Sequence, residues 1–441
     1  DGSYGRGAPG VGAGVVERPL LFGAYRYGQL TFGALDPIVF GESDSASTGL
    51  PDLKVVVRNG GARLDTDFGA VGAFFEGAGP LDDGFSGRLA LVSSDLGVEG
   101  CRAERATAYG AVTTENGAPR FDGPFRLRGL ECQGVSMASA NIGTLLMAAA
   151  DFAKIDGGLD FEMSALSYGD FTAQALTGSA GLSLNEEALV MDHELTLSRF
   201  DSPYMGLAAI GVDGVLRSAG GFTRHSWETS LDGEGLAPNP GLTEALQSAR
   251  EASEGTLAAA LLSKFDTGRC AGLSGARAQV TMRARAEGEG VSVVVPEAQV
   301  RADTGEALLA ISRLSWSRAD AQSGARLSGN ILTGGANLPE ISARIDQPAG
   351  GALSARLSLA PYSAGEDRIA MPSLTLRQVG GGYAFSGARR ASGAIPGGVV
   401  RGLEAPINGV IDASGRVRVG RACEDVRFKG LSAYDLRLDA A

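Results

Sequence analysis

A chain of 441 residues with 66 Gly and 44% apolar residues has too much hydrophobic content for a disordered polymer, and its glycines follow no collagen period. The net charge of −12 argues against a nucleic-acid partner, which needs Lys and Arg gathered on one face. No apolar run is long enough to span a bilayer, and the opening stretch DGSYGRGAPGVGAGVVERP lacks the hydrophobic core of an export signal.

Residues 1–20 read as an extended lead-in, with six Gly before Val15. From residue 21 to 238 the grammar is short strands and Gly, Asp or Asn turns. In GFSGRLALV, Phe85, Leu89 and Leu91 share one parity while Arg88 and Ala90 take the other. In LDFEMSA, Leu159, Phe161 and Met163 alternate with Asp160, Glu162 and Ser164. Alternation of period two marks a strand with one face buried. GLSLNEEALVMDHELTLS predicts a hairpin turning at Asn185, Glu186 and Glu187, with Leu195 and Leu197 on one face of its return strand.

A helical segment is predicted at 239–268. Asn239 can cap it and Pro240 can open it, since a first-turn residue needs no N–H. Leu242, Leu246 and Ala249, then Leu257, Leu261 and Phe265, form an apolar stripe broken at Gly255, where a hinge is expected because Gly costs about 1 kcal/mol in a helix. Glu244, Gln247, Glu251 and Glu254 face water, so the segment reads as a plug or lid over a β surface.

Strand patterns return over 269–441. The clearest sets Leu353, Ala355, Leu357 and Leu359 against Ser354, Arg356 and Ser358; near the end Val417 and Val419 alternate with Arg416 and Arg418. With one long helical segment there are no crossover helices for a parallel α/β sheet. The expected fold is all-β: an elongated, curled antiparallel sheet, a β-taco or open groove, with one inserted amphipathic helix. Aromatic residues are only 6% of the chain, which suits a smooth aliphatic lining better than a compact filled sandwich, although a pair of sandwiches remains the alternative.

The residues show no reaction centre. His193 and His225 stand in different strand units, and His193, between Asp192 and Glu194, reads as part of a solvated polar patch. Asp65, Asp67 and Glu76 occupy positions of a calcium loop, but Ala70 stands where Gly is required. Asp44 within GESDSAS reads as a polar loop. Elbow, zincin, phosphate-loop and Cys-pair motifs are missing, so neither cofactor nor metal is expected. Cys101, Cys132, Cys270 and Cys423 are too dispersed for a metal site; Cys101 and Cys132 could bridge or remain buried thiols.

The stretch Leu359–Leu438, LAPYSAGEDRIAMPSLTLRQVGGGYAFSGARRASGAIPGGVVRGLEAPINGVIDASGRVRVGRACEDVRFKGLSAYDLRL, resembles the YdbH-like branch of the AsmA-like, TamB-related envelope proteins of Gram-negative bacteria, of the alphaproteobacterial type. NPGLTEAL and ALSYGDFTAQALTGSAGLSLNEEALVMDHEL are similar to the corresponding parts of that group, so the likeness covers about residues 80–440. The resemblance implies a groove that carries phospholipid between inner and outer membranes across the periplasm, tethered to the inner membrane by a helix outside this sequence. It further implies a small outer-membrane lipoprotein as partner and a Cys101–Cys132 disulfide in that oxidising space. It supplies no catalytic residue. The lining is then expected to be Phe85, Leu89, Leu91, Leu159, Phe161, Met163, Leu353, Leu357, Leu359, Val417 and Val419. The rival expectation is a structural or adhesive β-solenoid with a filled apolar core.

Overall fold

The computed structural model describes residues 14–26, 29–33, 36, 49–98, 100–203, 205–238, 240–420 and 425–439. The GESDSAS loop, the expected cap Asn239 and Cys423 lie outside the described residues. The fold is all-β, with 69% strand and 8% helix, and the strands pair antiparallel in the main run of each unit. The chain divides into two compact units: residues 1–200 with 215–222, and residues 201–214 with 223–441.

The first unit contains β1 (Gly14–Glu17), β2 (Leu20–Arg26), β3 (Gln29–Thr31), β4 (Lys54–Thr66), β5 (Gly69–Pro80), β6 (Ser86–Ser93), β7 (Leu96–Val98), β8 (Cys101–Glu115), β9 (Ala118–Cys132), β10 (Val135–Ala148), β11 (Lys154–Tyr168), β12 (Phe171–Asn185) and β13 (Leu189–Asp201). From β4 to β12 they pair as an antiparallel meander, with the short β7 beside β8. The predicted hairpin turn forms at Asn185, whose Oδ1 accepts N–H bonds from Glu187 and Ala188 at 3.0 and 2.7 Å. At the other end, strand already begins at Gly14–Glu17 within the expected lead-in, and β1 and β2 both run parallel to β4 beside the antiparallel run. Parallel neighbours need a long return connection, which the span from Thr31 to Lys54 is long enough to provide.

The second unit holds β14 (Met205–Ala219, its last residues counted with the first unit), β15 (Arg224–Glu234), β16 (Ala237–Pro238), β17 (Arg277–Glu287), β18 (Gly290–Arg301), β19 (Ala307–Arg318), β20 (Arg326–Thr333) and β21 (Ile341–Gln347). It continues with β22 (Ser354–Ala364), β23 (Asp367–Val379), β24 (Gly382–Ile395), β25 (Gly398–Ile411), β26 (Val417–Val419), β27 (Gly430–Ala433) and β28 (Leu436–Asp439). β15 and β17 to β25 form its antiparallel meander, and β26 and β27 both pair with β25.

Two helices interrupt this unit, α1 (Pro240–Ala252) and α2 (Leu257–Leu273). The break falls where Gly255 adopts φ 74°, a left-handed conformation that glycine takes without steric cost. Thr256 then caps α2, its hydroxyl accepting the Ala258 N–H. The expected stripe is buried at Leu261 in α2; in α1, Leu246 is half-buried while Leu242 is 45% exposed and Ala249 is also exposed. Among the described residues α1 packs chiefly against α2 rather than against a strand. Nor does the helix stop at residue 268. It runs to Leu273 because Gly268 and Gly272 let its backbone approach the 334–339 loop: a Cβ at Gly268 would lie 2.6 Å from the Ala336 carbonyl oxygen.

Neither unit is organised around a solid centre. The buried apolar residues are mostly Ala, and among the described residues no large side chain falls below 2% exposure. A half-buried Leu contributes on the order of 1 kcal/mol, less than the roughly 1.5–3 kcal/mol of a fully buried one. Stability therefore rests on long ladders of paired strands and many partial burials.

Candidate functional site

Directly opposed residues in a sheet share a face, so the strand registers show which candidate side chains stand together. In the first unit, Leu91 faces Ala108, and the row continues through Phe125, Ile142 and Phe161 to Gly178. Beside it run Leu127, Ala140, Met163 and Leu176. Leu89 opposes Phe75, and Leu159 opposes Thr144 and Ala180 on the same side. Phe85 lies just before β6, with its ring over Gly77 and Gly87 of that face. The register thus brings all six first-unit candidates to one side.

The opposite side is polar. Arg126, Asn141 and Glu162 form a cross-strand row there, with Arg126 Nε donating to Asn141 Oδ1 at 3.1 Å. Ser139 and Ser164 share a hydroxyl hydrogen bond of 2.7 Å there.

In the second unit the corresponding row is Ile331, Ala343, Leu357, Leu374, Gly387 and Ile407. Leu359 stands beside it between Ile341 and Met371. Leu376, Phe385, Gly409 and Val419 extend the same face, and Ile411 brings in Val417. Leu353 precedes β22 with the parity of Leu357, and its carbonyl accepts the Gln378 N–H at 2.8 Å. Val417 and Val419 are 59% and 54% exposed, because β26 is a short strand with little beside it. Arg344 and Arg356 oppose each other on the polar side, where they line a depression of about 570 Å³ with Ser312, Asn330 and Thr375.

α2 contacts β22, β23 and β24. Lys264 lies 4.7 Å from the Tyr362 ring centre and donates to the Ser363 carbonyl at 2.9 Å, while the Tyr362 hydroxyl donates to the Asn337 carbonyl at 2.8 Å. Burial raises the Tyr362 pKa above its usual value. The Arg269 side chain is 5% exposed and held by Asp266 at 2.6 Å.

Aromatic residues contribute to the lining in a way the alternation alone does not reveal. Phe75 covers Gly60, Phe121 covers Gly110 and Phe385 covers Gly409; a Cβ at any of these glycines would come within 2.7 Å of the ring. A ring seated on a position without a side chain adds apolar area while staying flat against the sheet. Such strand glycines are not turns, and a glycine of the same parity within a strand is the signal that could have found them.

His193 is 8% exposed, not part of a solvated patch. Its parity opposes that of Asp192 and Glu194 and matches Met191 and Leu195, so the strand turns the imidazole to the apolar side. Cys101 and Cys132 are directly opposed in β8 and β9 and their sulfurs are joined. Cys270 is a free, exposed thiol. Among the described residues no group of three or more His, Cys, Asp or Glu side chains is placed to hold a metal ion, and no helix is long and apolar enough to cross a membrane. What the arrangement offers chemically is a broad aliphatic surface backed by a polar one.

Comparison with protein-family models, with curated proteins and with solved structures finds no match for this chain.

Proposed function

We propose that this chain is a non-enzymatic phospholipid carrier that shields acyl chains against the apolar face of its curled sheet, in the periplasm of a Gram-negative bacterium between inner and outer membranes. The observation that carries the reading is the shared face. In each unit, cross-strand register gathers the aliphatic candidates on one side, and the large side chains there are only partly buried. Exposing two long acyl chains to water costs on the order of 20 kcal/mol at about 0.8 kcal/mol per methylene, and a continuous aliphatic surface removes most of that barrier. The polar headgroup stays in water, so the lining needs no fixed charge. The Cys101–Cys132 bridge suits an oxidising compartment.

The test uses neighbouring residues of β22 that point to opposite sides. A photoreactive amino acid at Leu357 should crosslink to phospholipid in membrane-derived protein, and the same probe at Arg356 should not. Leu357→Asp should block passage, because a carboxylate buried among acyl chains costs several kcal/mol. Equal adducts at the two positions, or none at either in folded protein, would overturn the carrier and favour the filled structural solenoid.

A further inference from the structure

The acidic chain concentrates cations in one place. Residues 326–430 carry 13 Lys and Arg against 8 Asp and Glu, although the chain as a whole is −12. Within that span a depression of about 430 Å³ opens on the polar side of β23, β24 and β25. Two adjacent cross-strand rows line it. One places Arg390 between Ala370 and Glu404, with Arg427 bridged to Glu404 through reciprocal backbone hydrogen bonds of 2.7 and 2.9 Å. The other places Arg368 opposite Ser392, next to Gly402 and the Lys429 stem.

The local backbone is built around this recess. The β24–β25 register shifts between Ala391 and Gly393, and Gly402 takes φ 59°. The Gly402 N–H donates to Ser392 Oγ at 2.8 Å, which leaves the serine proton free to donate elsewhere. A Cβ at residue 402 would meet the Lys429 Cγ at 2.8 Å, so glycine is what allows the lysine stem to lie across the strand. A bulge of this kind bends the strand and re-aims its side chains.

Charge is left over. Glu404 is engaged by Arg390 at 3.1 Å, whereas Arg368, Arg427 and Lys429 make no ion pair among the described residues. The described lining thus holds more cations than carboxylates, and a bound anion would offset that excess. Arginine presents a planar fork suited to phosphate oxygens and lysine a compact point charge, with the Ser392 hydroxyl as a further donor. Phe428, Leu403 and Pro361 add an apolar margin to the recess.

We propose that Arg368, Arg427 and Lys429, with Ser392, form a binding site for a phosphate-class oxyanion, either free or carried on a lipid headgroup. The site lies on the side of the sheet opposite Leu357 and Leu359 and does not depend on the apolar face carrying lipid.

The experiment compares the full chain with a triple variant, Arg368→Gln, Arg427→Gln and Lys429→Gln, and with Arg285→Gln as a control cation elsewhere. Inorganic phosphate binding is followed by equilibrium dialysis, and binding to phosphatidylcholine vesicles with and without phosphatidic acid by flotation. The wild type and Arg285→Gln should bind at least one probe in a salt-sensitive way, and the triple variant at least about tenfold more weakly. Binding of inorganic phosphate identifies a soluble oxyanion; binding only to phosphatidic-acid vesicles identifies a headgroup. Leu357→Asp should leave phosphate binding unchanged, which separates this site from the acyl-chain face. No binding of either probe by wild type, or equal binding by wild type and folded triple variant, would overturn the proposal.

Discussion

The two units use the same strand grammar but differ in regularity: among the described pairings of the first unit a register shift occurs between β4 and β5, at Val57 and Gly60. Between β9 and β12 the register runs without a shift, and the apolar face is an even sequence of opposed Phe, Leu, Ile, Met and Ala. In the second unit, β17–β18, β18–β19, β19–β20, β22–β23, β23–β24 and β24–β25 each carry a shift. Each shift inserts an unpaired residue and bends its strand. The cationic recess and the seat of α2 both occur on the shifted strands. Regular pairing makes a uniform surface; interrupted pairing makes recesses where a helix or a ligand can be held.

The sharpest way to break the regular unit is to remove its covalent closure. Replacing Cys101 and Cys132 with Ser should lower the unfolding free energy of that unit by about 3–4 kcal/mol through loop-closure entropy, read from urea denaturation. Amide exchange should rise at the Cys ends of β8 and β9 first, with the second unit unchanged. A loss confined to the second unit would contradict the assignment of this bridge.

Perturbing the interrupted unit should act through α2. Gly268→Leu places a side chain against the Ala336 carbonyl and should cost about 1–3 kcal/mol, detected as faster amide exchange over 257–273. In the unaltered protein α1 should already exchange faster than α2, because among the described residues it packs chiefly on α2 while α2 packs on β22 to β24. Tyr362→Phe removes the hydroxyl bond to the Asn337 carbonyl and should cost about 1 kcal/mol with the helix still docked.

The smallest expected effect is acid loosening of the Asp412 turn between β25 and β26. Asp412 is held below the usual carboxylate range by the Ser414 hydroxyl first, then by the Arg416 N–H. A depressed folded pKa makes this contribution complete above the unfolded value of about 3.9 and lost as pH falls through the folded one. Exchange of the Ser414 and Arg416 amides should therefore accelerate only below about pH 4, and Asp412→Asn should remove that dependence. An unchanged acid profile in the variant would refute the linkage.

What the sequence by itself determined is the two-sidedness of the strands. Leu357 and Arg356 are neighbours on opposite faces because successive side chains of a strand alternate, and no distant contact is needed to know it. Asn185 likewise turns its hairpin through bonds to residues two and three positions on, and Gly255 breaks the helix through its own backbone. Tertiary structure decided the rest. Gly268 and Gly272 look like helix breakers at about 1 kcal/mol each, yet they lie inside α2 because the 334–339 loop can approach only a backbone without side chains. Leu242 has the spacing of a buried stripe and is exposed because, among the described residues, α1 packs chiefly against α2 and not against a strand. His193 is flanked by carboxylates in sequence but shares its face with Met191 and Leu195. Arg368, Ser392 and Lys429 come together only through strand order and a bulge, so their meeting depends on residues far apart in the chain.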